Sequence, residues 1–288
     1  MDYRKYVIAL REVAKVGPKG FQQLLLAFGS PENVYKATSD QISNLPRMSP
    51  EKAEEICKSQ EKFTEIEEQI AYLEEQGIGI KTILEDDFPQ SLRVINDPPP
   101  LLYFKGEFPS AEALLVAVVG THHATYEGIK DATEIGKELA KRGAVVVSGL
   151  ARGIDTGAHL GALAKEGKTY AVLGSGLNKI YPEENLSMSV EISQNGALLT
   201  EYPLNAPVNV GQLMARNRIV VGLSQTVIVV ETEDEASGTM DAAQKAIEQG
   251  KSLFVVIREG NKSSEELVRI GAIPIKGAED LDMVLNYL

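Results

Sequence analysis

From Leu114 to the C-terminus, short uninterrupted apolar runs alternate with amphipathic stretches, and nearly every run ends in small or acidic residues. The runs are LLVAVVG (114–120), AVVVSG (144–149), TYAVLG (169–174), ALLTEY (197–202), TVIVVE (226–231) and SLFVV (252–256), with a short strand expected near Ile273. Helical spacing predicts helices over 129–142, 155–166, 211–222 and 238–249, a short one over 264–270 and a last one from Asp280. Strands apolar on both faces must be covered on both faces, so the pattern predicts a doubly wound, mainly parallel α/β sheet.

The preceding chain is different. Over residues 1–78 apolar side chains recur at helical spacing, as in Leu24, Leu25 and Phe28 or Ile66, Ile70 and Leu73, with Gly/Pro breaks at Gly17-Pro18, 29–31 and Pro46. A small all-α domain is expected. Within it, residues 45–53 read as a tight turn, Ser49 as N-cap and Pro50 as the first helical position. This resembles half of a helix-hairpin-helix, a unit that offers backbone N–H groups to a DNA phosphate. Arg47 and Met48 stand where that motif has a glycine and an aliphatic residue, so the turn is read as a plain packing unit. Residues 79–110, with Asp97-Pro98-Pro99-Pro100, are expected to be an extended connector, and 111–288 the α/β domain.

Composition narrows the function classes. A lone cysteine, Cys57, can form neither an internal disulfide nor a thiolate cluster. The N-terminus has charges scattered through its apolar residues, and no run of about 18 apolar residues occurs, so a cytoplasmic protein without a membrane span is expected. The net charge of −12 opposes a phosphate backbone globally. Neither half is basic: residues 1–110 carry 13 basic and 18 acidic groups. A polyanion would have to be met by a local groove.

In a doubly wound sheet ligands sit beyond the carboxyl ends of the strands, where helix N-termini offer unpaired N–H groups. Small residues gather at those ends: Gly120 after the first strand, Gly149 to Gly153 after the second, Gly174 to Gly176 after the third, and Gly238-Thr239 beyond TVIVVE. Gly149 and Gly153 are expected to leave room for a phosphate against the backbone. Gly157 and Gly161 are expected to let the next helix approach the sheet. Basic candidates at the same ends are Arg152, Lys179, Arg216 and Arg218. The last two lie about 200° apart on a helix, so at most one should face the site.

Other chemistries fare worse. GALAKEGKT (161–169) nearly spells a P-loop, but it has five residues between its glycines and leads from helix into strand. No G-x-G-x-x-G follows the first strand, so neither NAD nor FAD is expected. Ser148, Asp155 and His159 suggest a triad, yet Asp155 is expected to cap its helix and His159 to pack locally. His122 and His123 lack a third metal ligand. Neither cofactor nor metal is expected.

The ordered segments VVSGLARGIDTGAHLGAL, AVLGSGLNKIYPEEN, LLTEYP, RNRIVVGLS and ASGTMDAAQKA closely resemble the DNA-processing protein A (DprA or Smf) family, over about residues 80 to 285. The resemblance extends weakly to a sterile-alpha-motif-like N-terminal module. It implies an extended Rossmann fold that binds single-stranded DNA through its phosphates without catalysis. It also implies homodimerisation, delivery of the strand to RecA, displacement of single-strand-binding protein and a role in natural transformation. The implied contacts are Gly120, Thr121 and His122; Gly149, Ala151, Arg152, Gly153, Asp155 and His159; and Gly174, Ser175, Gly176, Lys179 and Asn185. Arg216, Asn217 and Arg218 follow, then Ser237, Gly238 and Thr239. Three positions depart from the family pattern. His122 stands where an arginine is usual, Glu183 where a basic residue is frequent, and Leu213-Met214 where Phe-Pro is expected. The competing reading is a nucleotide-binding or nucleotide-hydrolysing enzyme using His122, His159 and the acidic run 231–235. A ligand-free interaction scaffold is a third.

Overall fold

Serine and threonine start the short helices of the N-terminal part, because their side chains accept N–H groups that the first helical turn leaves unpaired. The computed structural model describes residues 2–232, 238–258 and 262–287. These divide into two units, Met1–Phe88 with Asp97–Tyr103, and Pro89–Asn96 with Phe104–Leu288.

The first unit holds α1 (Arg4–Ile8), a π-helical turn (Ala9–Val13), α2 (Pro18–Phe28), α3 (Pro31–Val34), α4 (Ser39–Ser43), α5 (Pro50–Ser59) and α6 (Phe63–Glu75). Ser30 caps α3, Thr38 and Gln41 form a reciprocal capping box on α4, and Ser49 caps α5. Val7, Leu10, Phe21, Leu24, Ile42, Ile56 and Leu73 are buried together with the ring of Tyr103, whose hydroxyl donates to Glu12. The stretch 79–110 is not a plain connector. It carries β1 (Ile78–Thr82), a short α7 (Gln90–Arg93) and β2 (Leu101–Gly106). The triple proline that suggested an extended chain only leads into β2. β1, five residues long with alternating burial, is too brief to stand out from the helical spacing before it.

The second unit alternates as its apolar runs predict: β3 (Leu115–Val119), α8 (Tyr126–Lys141), β4 (Val145–Ser148), α9 (Ile154–Leu163), β5 (Thr169–Val172) and α10 (Leu186–Asn195). It continues with β6 (Gly196–Thr200), α11 (Val210–Leu223), β7 (Thr226–Val229), α12 (Gly238–Glu248), β8 (Ser252–Val256), α13 (Lys262–Arg269), β9 (Ile273–Ile275) and α14 (Leu281–Leu285). These strands lie in the order β6-β5-β4-β3-β7-β8-β9. Every neighbouring pair in that series is parallel. The chain winds outward from β3 to β6, then restarts beside β3 with β7. The reversal between β3 and β7 opens a crevice at their carboxyl ends.

Val118, Val146, Ile228 and Phe254 are fully buried in one core cluster with α8 and α9, each contributing about 1.5–3 kcal/mol by leaving water. The glycines of α9 face α8 rather than the sheet. A β-carbon on Gly161 would stand 2.1 Å from the Thr133 carbonyl oxygen, and one on Gly157 2.9 Å from that of Ile129. The face of α9 toward the sheet carries His159, which reaches Thr169 of β5. Spacing alone placed both glycines on one face; it did not say which neighbour that face meets.

Candidate functional site

A cavity of about 510 Å³ opens at the carboxyl ends of β3 and β4, with α11 and α12 as its far wall. Gly120, Thr121 and His122 line it from the turn after β3. Gly149, Ala151, Arg152 and Asp155 line it from the turn after β4. Arg216 and Asn217 face it from α11, and Gly238 and Thr239 from α12. Ser237 lies outside the described residues.

The glycine-rich turn after β4 is organised around Asp155, not around an open anion nest. One carboxylate oxygen of Asp155 accepts the N–H groups of Gly149 at 3.0 Å and Ala151 at 3.2 Å. The amides expected to cradle a phosphate are therefore spent within the protein. The room beside Gly149 is also filled, because a β-carbon there would stand 1.3 Å from Nη1 of Arg216. That guanidinium donates through Nη1 to the Val172 carbonyl at 2.9 Å and through Nε to that of Leu213 at 3.4 Å. Nη2 has no acceptor among the described residues, so a buried cation with unspent donors forms part of the cavity wall. Burial pulls the Arg216 pKa down from its ordinary value, with Asp155 opposing; burial pushes the Asp155 carboxyl up, with Arg216 opposing.

Arg152 sits at the rim and is about half exposed. It makes a two-point ion pair with Glu184, Nε to Oε1 at 2.5 Å and Nη2 to Oε2 at 2.7 Å, which raises its pKa. His122 is exposed and its ring stands 3.9 Å, centroid to centroid, from that of His123. Asn217 holds α12 in place, donating to the Gly238 carbonyl at 3.1 Å and to Asp241 at 2.9 Å.

The remaining candidates lie elsewhere. Arg218 points away from the cavity into a buried pair with Glu201, at 2.6 and 2.8 Å. Arg216 and Arg218 thus face opposite ways, as their angular separation requires. Gly153 holds a left-handed turn (φ 70°) against the Thr121 carbonyl. The turn at Gly174, Ser175, Gly176 and Lys179 closes on the 203–206 loop, through Gly176 N–H to Ala206 and Asn178 N–H to Leu204, both at 3.0 Å. Asn185 braces the second turn by donating to the Leu150 carbonyl and to Thr156, each at 3.0 Å. His159 is buried on Thr169, and the Ser148 hydroxyl donates to the Val118 carbonyl at 2.7 Å, so Ser148, Asp155 and His159 do not form a triad. Glu231 accepts the Thr125 N–H and hydroxyl at the start of α8; residues 233–235 lie outside the described residues.

Residue-type reasoning overlooked the apolar wall formed by Val119, Val210, Leu213, Met214 and Val220 together with Tyr181. Its signal was present in Leu213-Met214, where the family pattern changes. The neighbouring Tyr181–Pro182 peptide is cis.

A family model described as DNA recombination-mediator protein A matches residues 79–286, and one described as a SAM-like helix-hairpin-helix tandem matches 7–61. DNA processing protein DprA of Bacillus subtilis is 35% identical over 219 residues, covering 74% of this chain and 73% of that protein. Protein Smf of Synechocystis is 34% identical over 256 residues, covering 86% of this chain and 63% of its own length, so this chain spans less than two thirds of that relative. Among solved structures, DNA processing protein A from Streptococcus pneumoniae superposes with a TM-score of 0.81 at 30% identity, covering 98% of both chains. DNA processing protein A from Helicobacter pylori, solved for its single-stranded DNA binding mode, superposes at 0.64 with 33% identity, over 72% of this chain and 96% of that one. No helix among the described residues is long and apolar enough to cross a membrane.

Proposed function

Because this chain belongs to the DNA recombination-mediator protein A family, we propose that its strand-end cavity binds single-stranded DNA by the phosphates, without catalysing a reaction on it. The observation that carries this reading is the Arg216 guanidinium, held in the cavity wall with donors unspent and Arg152 at the rim above it. A buried, pre-positioned guanidinium is a strong phosphate partner, because its charge-assisted hydrogen bonds form without further ordering. The name of the Helicobacter pylori structure points to the same ligand class.

In this reading the protein works in the cytoplasm as a homodimer, delivers the strand to RecA past single-strand-binding protein, and serves natural transformation. The competing reading, nucleotide hydrolysis, loses two of its residues, since His159 and Glu231 are engaged away from the cavity.

Fluorescence anisotropy of a labelled oligo-dT at low salt tests the proposal. Binding should weaken steeply as salt rises, and Arg216→Ala or Arg152→Ala should each weaken it about tenfold, the worth of one charge-assisted contact. Binding that is insensitive to both salt and Arg216 would refute it.

A further inference from the structure

Two polar side chains in the lining of the strand-end cavity are buried with hydrogen-bonding capacity left over. Arg216 is 6% exposed and keeps Nη2 unspent. Thr239 is 4% exposed, and its hydroxyl has no partner among the described residues. Thr239 stands in the first turn of α12, where the Gly238 and Thr239 N–H groups have no acceptor among the described residues either. Buried polar groups are normally paired, so donors gathered on one cavity point to a ligand rich in acceptors.

Beside these donors the wall is apolar. Val210, Leu213 and Met214 recur at helical spacing on α11, and Tyr181 joins them in the lining. A phosphate alone needs only donors. An apolar surface next to them suits a molecule with an anionic end and a flat, weakly polar body, which is a nucleotide with its base. The cavity volume of about 510 Å³ falls within the roughly 300–1,000 Å³ of pockets that enclose one small ligand. Its positive charge also sits deep, because Arg216 is buried whereas Arg152 at the rim is half exposed. A phosphodiester carries chain on both sides and must bring both limbs inward to reach such a charge. A phosphomonoester carries one substituent and enters end-on. It also holds about −1.5 to −2 charge at pH 7, more than the single charge of a backbone phosphate.

We propose that the cavity is a one-nucleotide pocket for a nucleoside phosphomonoester, with the phosphate on Arg216, Thr239 and the first turn of α12 and the base against Leu213 and Met214. This rests on the reading that the cavity takes DNA phosphates, and adds that a nucleotide with a free phosphate end is held in preference to continuous backbone. Such a group has two sources, the phosphorylated end of a strand and a free nucleoside monophosphate. Either one excludes an internal stretch of strand from the cavity, so free nucleotide acts as a competitor of strand binding.

Isothermal titration calorimetry of the full chain with dTMP, thymidine and inorganic phosphate at low salt tests this. The nucleotide should bind at least about tenfold more tightly than either fragment, since only it uses both the donors and the apolar wall. Thr239→Val keeps the side-chain shape without the hydroxyl and should weaken dTMP about fivefold. Arg216→Gln should weaken it about tenfold or more. Met214→Gln should weaken dTMP while leaving inorganic phosphate unchanged, a split that a general loss of folding would not give. Anisotropy of internally labelled oligo-dT with a 5′-phosphate, a 3′-phosphate or hydroxyl ends separates the sources. Binding about tenfold tighter for a phosphorylated oligo-dT assigns the strand end; equal binding of all three, displaced by dTMP, assigns the free nucleotide. A dTMP affinity no greater than that of thymidine or phosphate, or one indifferent to both Arg216→Gln and Thr239→Val, would overturn the proposal. Salt-dependent and Arg216-dependent oligo-dT binding in that case leaves the strand reading standing, whereas dTMP binding without oligo-dT binding would strike the strand reading instead.

Discussion

The guanidinium of Arg216 occupies the space that a side chain on residue 149 would need: a β-carbon on Gly149 would lie 1.3 Å from Nη1 and 2.1 Å from Cζ. Gly149 is required here for volume and not for a left-handed backbone, because its φ lies outside that region. Gly149→Ala is therefore expected to expel Arg216 from its slot and break its bond to the Val172 carbonyl. It should weaken single-strand binding about tenfold, as Arg216→Ala should. It should also lower stability by about 1–3 kcal/mol, the usual cost of overpacking. Anisotropy and a denaturant midpoint check both; full binding by Gly149→Ala would show that the guanidinium is not the anion contact.

Glu184 holds Arg152 in a two-point ion pair, so on the proposed function it competes with DNA for that guanidinium. Both side chains of that pair are about half exposed, and solvent screens an exposed ion pair so that it contributes little, which lets a phosphate displace the carboxylate at small cost. Glu184→Gln should tighten oligo-dT binding roughly threefold, and the gain should vanish in an Arg152→Ala background. A gain that survives without Arg152 would mean that Glu184 acts only as a general negative charge.

These two residue pairs show where sequence reading reached and where it stopped. Runs such as VAVV and VVVS were legible as strands because burial on both faces leaves no polar position in them. The strand ends were legible as the place where a cavity opens, because small residues gather there. What was hidden is how donors are spent. Gly149 and Ala151 looked like an open nest, but Asp155 takes their N–H groups, and Arg216, from a distant helix, takes the space. The turn at Gly174 to Lys179 has the same composition, yet it closes on the 203–206 loop. Residue types mark a turn, whereas the acceptors of its hydrogen bonds are set by tertiary packing.

Arg218 and Glu201 separate structure from ligand binding on the same helix. Their side chains are 6% and 5% exposed, and removing one member of such a pair leaves a buried charge uncompensated, typically costing about 3–5 kcal/mol. Arg218→Met and Glu201→Gln should each destabilise by that amount in urea titrations. Arg218→Met/Glu201→Leu should recover a large part of the loss. Oligo-dT affinity, measured well below the melting temperature, should change little in the double variant. A tenfold fall there would place Arg218 among the DNA contacts after all.

His159 sets an acid limit on stability. Thr169 Oγ1 donates to the Val146 carbonyl at 2.9 Å and so accepts Nδ1–H of His159 at 2.7 Å, a network that assigns the neutral tautomer with Nε2 unprotonated. Nε2 is buried without a partner among the described residues. Burial, reinforced by the positive charge of Arg216, lowers its pKa from the ordinary 6.5 to about 3. Between those values the unfolded chain takes up a proton that the folded chain refuses. Its contribution is thus complete above pH 6.5 and is lost as pH falls toward 3, by up to about 1.4 kcal/mol per pH unit. Asp155, raised by burial, has the opposite sign: its share is lost as pH rises through its folded value. Subtracting urea stabilities of His159→Leu from those of the parent at several pH values from about 4 to 7 isolates the histidine. The parent should show the steeper loss toward acid, with oligo-dT binding at neutral pH retained by the variant. Parallel pH profiles for the two would mean that the imidazole can accept a proton in the folded state.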